Sequence, residues 1–395
     1  MNNFVFISPT FPDTYYQFPR AWKELGGTSL CIGEDDYNSL PDSLKQASDE
    51  YYRVSSLADY DQMYRAVAWF AHKHGKIDWL ESNNEFWLEK DAQLRTDFNI
   101  TTGDNAVSVM RYKTKSGMKD FYRQAGVKTA RWAIASTLEE GMKFIAEVGY
   151  PIIVKPDNGV GANATWKVHN EEELRSFYDV KGDVRYIMEE FITGEIWSYD
   201  GLVDQDGKIL FRTVHVYKSS VMDVLNAAIE NYFYSLREVP KELDEIGQNV
   251  LKAFDLKARF FHTEYFRMTE DKEGLGKAGD FIGLEVNMRP PGGYIPNMMN
   301  YSCNIDLFRM YASMCMYNNV TPVTEHPYFC VFYGRRDRLS YRFSDEEIYQ
   351  RYGWAIRESG RMPGILQGMG DQYYIACFET EAEVEEFART AAAKN

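Results

Sequence analysis

The stretch GLEVNMRPPGG, residues 283–293, decides how this chain is read. Taken as a β-strand, it places Glu285, Asn287 and Arg289 on one face, because alternate side chains of a strand point the same way. A carboxylate and an amide carbonyl two positions apart are hard oxygen donors of the kind Mg²⁺ takes. The guanidinium beside them can grip phosphate or carboxylate oxygens as a fork. Such a face either stands in water or meets groups that satisfy it, since an unpartnered buried polar group is costly. Pro290-Pro291-Gly292-Gly293 then halts strand pairing and lets backbone come close to a ligand, a device that a plain edge strand does not need.

The segments upstream extend the pattern. In FFHTEYF (260–266), alternation puts Phe260, His262, Glu264 and Phe266 on one face. Glu264 is either half of a local ion pair or, with 281–289 as an antiparallel neighbour, the carboxylate facing Glu285; two apposed carboxylates demand a cation. His262 is read as a supporting residue, since Mg²⁺ disfavours imidazole. In RYIMEEFITGE (185–195), Glu189 and Glu190 mark either an acidic strand end or an extended hinge that offers backbone groups to an adenine edge. In YPIIVKPDNGVGANA (150–164), Lys155 ends an apolar strand and must find an anion or stay exposed. Gly159 and Gly161 beyond it form either an ordinary hairpin or a loop whose N–H groups close over phosphates. It is not a Walker A loop, because GK[ST] is missing and a strand follows. Before it, SVMRYKTKSGMKDFYRQAGV (108–127) reads as one basic, amphipathic helix closed by Gly126.

The rest of the chain frames these motifs. A length of 395 residues implies two or three structural units. Residues 1–106 alternate strands and helices as a parallel α/β unit, starting with the strand NFVFIS (3–8) rather than a leader peptide. No GxGxxG follows that strand, which argues against a dinucleotide site. Residues 107–195 read as a lid, 196–324 as a strand-rich unit, and 325–395 as a small α+β segment docked on the rest. Helices are expected at 16–25, 138–148, from 171, at 306–317 and at 381–392. The net charge, 44 − 59 = −15, argues against nucleic acid and anionic membranes as main partners. No apolar run approaches the ~18 residues of a membrane span. Five scattered cysteines without CxxC spacing suit a reduced, cytoplasmic protein.

Taken in order, the basic helix, the VKP–Gly loop, the EEFI turn, the Glu264 strand and EVNMRPPGG resemble the ATP-grasp superfamily, in domain order over roughly residues 1–320 and in motifs over 110–293. In texture the chain is most similar to carbamoyl-phosphate-synthase-like members and to carboxylate–amine ligases such as L-amino-acid ligases, whose EINxRxxGG motif matches EVNMRPPGG. The resemblance implies an N-terminal α/β domain ahead of two α+β subdomains that clamp ATP. It implies that Lys155 and Lys115 (with Lys113 the alternative) bind phosphates beneath Gly159 and Gly161, and that Lys155 also serves catalysis. By the same likeness, Glu189 and the backbone of Glu190, Phe191 and Ile192 take adenine. Glu264, Glu285 and Asn287 would hold Mg²⁺, as two ions that Mn²⁺ can replace, and Arg289 would stabilise an acyl-phosphate or the substrate carboxylate. The family's ribose-binding glutamate falls two residues after the hinge glycine, where this chain has Ile196; Glu195 comes one position early.

The implied activity activates a carboxylate with ATP and joins it to an amine. A carboxyphosphate-forming carboxylase or carbamoyl-phosphate-type enzyme, and a non-catalytic ATP-binding module, are the alternatives. Small-molecule carboxylate and amine substrates are the expected partners, and the family's frequent dimers leave a homodimer open. Specificity is expected from residues 215–235, from the strand ends near Pro9 and Glu85, and from Tyr294.

Overall fold

The computed structural model describes residues 2–158, 164–218 and 230–395. It contains three sheets, each drawn from one contiguous stretch of chain. The first joins β1 (Asn3–Ile7), β2 (Thr28–Gly33), β3 (Glu50–Arg53) and β4 (Trp79–Glu81), all parallel, in the order β3-β2-β1-β4. Every residue of β1 is buried, as expected where helices cover both faces of a parallel sheet. Val5 and Ile7 pack on the helix Tyr60–His74 through Met63, Val67 and Phe70. Phe4 and Phe6 face the other way, into an aromatic layer with Phe18, Phe260, Phe308 and Tyr311 that fastens this unit to the rest.

The second sheet joins β5 (Trp132–Ile134), β6 (Ile152–Pro156), β7 (Trp166–Val168) and β8 (Tyr186–Glu190), antiparallel in the order β5-β8-β6-β7. The helices Leu138–Val148 and Glu171–Val180, capped by the side chains of Thr137 and Asn170, bury Phe144, Ile145, Leu174 and Phe177 against it.

The third sheet is antiparallel throughout. It joins β9 (Gly194–Val203), β10 (Ile209–Tyr217), β11 (Asn231–Ser235), β12 (Arg259–Met268), β13 (Phe281–Asn287), β14 (Phe329–Arg335), β15 (Ile356–Arg361) and β16 (Gln372–Phe378) in the order β13-β12-β9-β10-β11-β14-β16-β15. Pairing of β11 with β14 makes the strands beyond residue 325 continuous with the sheet that carries Glu264 and Glu285. The mixed α/β and α+β architecture read from the sequence is therefore present.

Helices Leu138–Val148, Leu307–Tyr317 and Glu381–Ala392 fall where the sequence pattern puts them. The basic stretch does not form one helix. A 3₁₀ turn over Ser108–Tyr112 precedes the helix Lys115–Gln124, because Thr114 is extended and its Oγ1 accepts the Gly117 N–H at 3.2 Å. Gly126, at φ +73°, closes that helix as expected. Among the described residues no helix is long and apolar enough to cross a membrane.

Candidate active site

Antiparallel register puts Glu264 directly opposite Glu285, and His262 opposite Asn287, across β12 and β13. On the other side of β12, His262 lies beside Asp200, and Phe266 beside Ile196, on β9. This face of the large sheet forms one wall of a cleft. The opposite wall comes from the second sheet, where Lys155 on β6 and Glu189 on β8 share a face by the same alternation. The helix Lys115–Gln124 adds Lys115 and Lys119, one turn apart on one side. The cleft holds about 290 Å³ and also meets Asn287, Arg289, Phe191 and Ile192. A wider hollow of about 460 Å³ between Arg212 and Lys257 gathers none of these groups.

Charge in the cleft is arranged in pairs. Lys155 Nζ lies 2.5 Å from one oxygen of Glu189, the Lys119 ammonium pairs with the other, and Lys115 Nζ is 3.0 Å from Glu285. Burial opposes the charge of Glu189, yet the two ammonium groups hold its carboxyl down at about 2. Burial and the neighbouring Lys155 depress the pKa of Lys119 in spite of Glu189; for Lys155, burial is outweighed by Glu189 and Glu285 and the pKa rises.

Behind the carboxylate pair runs a second chain of contacts. Asp200 accepts from His262 Nδ1 at 2.5 Å, His215 Nδ1 at 2.8 Å and Ser198 Oγ at 2.6 Å. Burial disfavours charge on His262, but Asp200 and then Glu264 lift its pKa to about 9. Its Nε2 then points a proton at Glu264, 3.5 Å away, and Glu264 sits below the usual carboxylate range because His262 outweighs its burial. The imidazole thus orients a carboxylate rather than binding a cation itself.

Several expected residues stand elsewhere. Alternation along β8 turns the Glu190 carboxylate away from Glu189, to Arg131 at 2.7 Å and Lys272 at 3.2 Å, so that side chain ties the sheets together. The Phe191 carbonyl accepts from Lys272 at 2.6 Å. Glu195 is not brought to the cleft. It lies on the opposite face of β9 from Ile196, which lines the cleft instead, and it pairs with Lys218 at 2.9 Å and Trp197 Nε1 at 3.3 Å. Glu195, whose offset by one position from the family's ribose-binding glutamate left a ribose contact in question, thus stands outside the cleft lining. The helix break turns Lys113 toward Glu89, 3.9 Å away, and leaves Lys115, not Lys113, in the cleft beside Lys119 and Lys155. Tyr294 is buried against Tyr373 with ring centroids 4.4 Å apart. Gly159, Gly161 and most of the 215–235 segment lie outside the described residues.

Two residues went unread in the sequence, Lys119 in the cleft and Asp200 behind it. Lys119 had a signal, four residues after Lys115 on the same helix face; Asp200 had none, since its contacts depend on the β9–β12 pairing. Among the described residues no group of three or more His, Cys, Asp or Glu side chains is arranged to hold a metal ion. The candidate cation donors are two carboxylates and an amide, a hard-oxygen set that fits Mg²⁺ sharing its remaining positions with phosphate oxygens and water.

Known proteins resemble this chain in sequence and in fold. The family model described as "Carbamoyl-phosphate synthase L chain, ATP binding domain" matches residues 114–185. The L-arginine-specific L-amino acid ligase of Bacillus subtilis is 26% identical over 282 residues, covering 69% of this chain and 65% of that protein. This chain therefore spans just under two thirds of that relative's length. Among solved structures, the L-amino acid ligase of Bacillus licheniformis superposes with a TM-score of 0.71 at 16% identity, over 99% of this chain and 97% of that one. The biotin carboxylase domain of the Hydrogenobacter thermophilus 2-oxoglutarate carboxylase, in complex with MgADP, ADP and bicarbonate, superposes with a TM-score of 0.68 at 16% identity, over 99% and 89%.

Proposed function

This chain belongs to the ATP-grasp superfamily, and from that premise we propose that it is an ATP- and Mg²⁺-dependent carboxylate–amine ligase. One observation carries the reading. A single cleft sets the oxygen donors Glu264, Glu285 and Asn287 on one wall against Lys115, Lys119 and Lys155 on the other. That is the pattern needed to hold a triphosphate with its cation.

In this reading Lys155 and Lys115 exchange their carboxylate partners for phosphate oxygens, and adenine lies against Phe191 and Ile192 with the backbone of 190–192 at its edge. Glu189, held between two ammonium groups, stays an acceptor that orients them. Arg289 grips the substrate carboxylate, so that an oxygen of it attacks the γ-phosphorus and ADP leaves. An amine then attacks the acyl-phosphate carbonyl and phosphate departs, leaving an amide. Glu264, Glu285 and Asn287 would hold Mg²⁺, two ions in full complement with Mn²⁺ able to substitute, which supplies positive charge to the phosphoryl oxygens. The chain's own share is positioning and the exclusion of water, which we assign to closure of residues 107–195 over 196–324. The five cysteines, all buried and free, suit the cytoplasm, where we place the protein. Its partners are small molecules, with a homodimer as the largest assembly in the proposal.

Purified protein with ATP, Mg²⁺ and pooled carboxylates and amines should release phosphate only when both pools are present, with a product mass equal to the two substrates minus water. Release that needs bicarbonate instead would point to carboxyphosphate chemistry. ATP binding with no release from any pool would leave a nucleotide-binding module.

A further inference from the structure

The mechanism above leaves one buried carboxylate unused. Asp200 is wholly out of water, with one oxygen on His262 of β12 and the other shared by Ser198 of its own strand and His215 of β10. Taking a charge out of water is costly even when it is paired, and apolar side chains of similar volume often hold a core together as well or better. Stability alone therefore does not account for a carboxylate in the middle of the large sheet.

Strand register shows what it does there. Two lateral rows cross β10, β9, β12 and β13 on the cleft face: Thr213, Asp200, His262 and Asn287 in one, and His215, Ser198, Glu264 and Glu285 in the next. His262 ties the rows together. Its Nδ1 lies on Asp200 Oδ1 at 2.5 Å, and its Nε2 stands 3.5 Å from Glu264 Oε1. The second contact is long for a hydrogen bond, so it steers Glu264 by charge and leaves the carboxylate free to take a further partner. Among the described residues the Glu264 side chain has no other hydrogen bond or ion pair, and it is 18% exposed. Glu285 differs, being held by Lys115 at 3.0 Å. In the reading above Lys115 leaves for a phosphate, whereas His262 stays because its other nitrogen is fixed.

We propose that Asp200 is a positioning residue for the cation site. It locks the ring of His262, and the ring holds the Glu264 carboxylate where, with Glu285 and Asn287, it meets the cation. The proposal rests on the cation site of the ligase reading. Asp200, His262 and Glu264 sit on adjacent strands of one sheet, so their arrangement stands before nucleotide arrives. Glu264 then need not be ordered at the moment of binding, which is how a rigid supporting layer strengthens a metal site. Asp200 itself touches neither the cation nor any reacting atom.

Mn²⁺, whose paramagnetic resonance reports binding without turnover, is titrated into protein holding a non-hydrolysable ATP analogue. Asparagine reproduces the Nδ1 position of histidine but not Nε2, so His262→Asn keeps a donor on Asp200 and loses the reach to Glu264. Asp200→Asn keeps the shape of the anchor and removes its charge. Each variant should weaken Mn²⁺ binding by about 10- to 100-fold, as expected when the partner of a metal ligand is removed. Affinity for the analogue without metal, and the melting temperature, should stay close to native. In turnover the Mg²⁺ concentration for half-maximal rate should rise by the same factor, with the rate recovered at saturating Mg²⁺. A residue that only supported the fold would lower the melting temperature and leave the Mn²⁺ constant of the folded protein unmoved. Native Mn²⁺ affinity in either folded variant overturns the proposal, as does failure of both variants to fold. Absence of Mn²⁺ binding by the native protein is a different result: it overturns the cation site of the ligase reading, and this proposal with it.

Discussion

Two of the ion clusters that lie out of water among the described residues are built on different cations. At the joint between the first sheet and the large one, Arg259 reaches Glu81 at 2.9 Å and Asp104 at 3.0 Å, and its Nε donates to the Met288 carbonyl at 3.0 Å. Arg95 adds contacts to Glu81 at 3.2 Å and to the Leu80 carbonyl at 2.8 Å. In the cleft, the cations are Lys115, Lys119 and Lys155. A guanidinium binds several oxygens at fixed angles, and each nitrogen of Arg259 is used. An ammonium is a point charge on a flexible stem, able to trade a carboxylate for a phosphate. The first cluster is a rivet and the second an exchange site. Burial and charge do not separate them; the freedom of the cation to change partner does.

Breaking the rivet should give the largest effect. Arg259→Ala leaves Glu81 and Asp104 buried beside each other, at a cost of about 3–5 kcal/mol in urea unfolding. An unfolding midpoint like that of the native protein would show that the joint carries no load and would dissolve the contrast. On the exchange side, Glu285→Gln should cut ADP formation by about 100-fold or more with the unfolding midpoint kept, since the carboxylate proposed to hold Mg²⁺ against the reacting phosphate is lost. Native-like phosphate release at saturating Mg²⁺ would take Glu285 out of the site.

The same contrast explains what was legible in the sequence. Glu264, Glu285 and Asn287 could be read because strand alternation is a local rule and only one pairing was needed to bring them together. Lys155 could be read because an apolar strand seldom ends in an unpaired lysine. Arg259 carries no local signal in the sequence, since its partners Glu81 and Asp104 are distant in the chain. The one-position offset of Glu195 has a counterpart in the fold, since pairing of Ile196 with Phe266 sets the phase of β9 and turns Glu195 to the other face. The strands after residue 325 gave no local sign that they continue the large sheet, which follows from the long-range pairing of Asn231 with Gly334.

Smaller substitutions sharpen the comparison within the exchange site. Lys155→Ala and Lys119→Ala should each weaken ATP binding by about 10- to 100-fold, as expected for a lost charge-assisted contact. Lys155→Arg tests exchangeability itself. It keeps the charge, but a fork locked on Glu189 should release it reluctantly, so affinity by calorimetry should fall between the native protein and Lys155→Ala. Native affinity in Lys155→Arg would show that charge alone matters there.

A further effect, set by pH, lies at the edge of the rivet. Asp91 is fully buried, and its Oδ2 accepts from the Ser82 N–H at 2.9 Å and the Ser82 Oγ at 2.5 Å. Burial first, and the charge of Glu81 next, raise its carboxyl to about 8, so near neutrality it is protonated and donates toward Glu81. A carboxyl whose folded pKa lies above its unfolded value of about 3.9 binds an extra proton in the native state. Its contribution to stability is complete below the unfolded value and drains away as pH rises toward about 8. Asp91→Asn keeps the shape and a donor toward Glu81 but removes the titration. The variant should match the native protein at about pH 4 and pull ahead by about 1 kcal/mol or more as pH approaches 8. Urea unfolding at several pH values reads the difference directly. Parallel curves for the two proteins across that window would mean that Asp91 is ionised throughout, and that the arginines hold three anions at the joint rather than two.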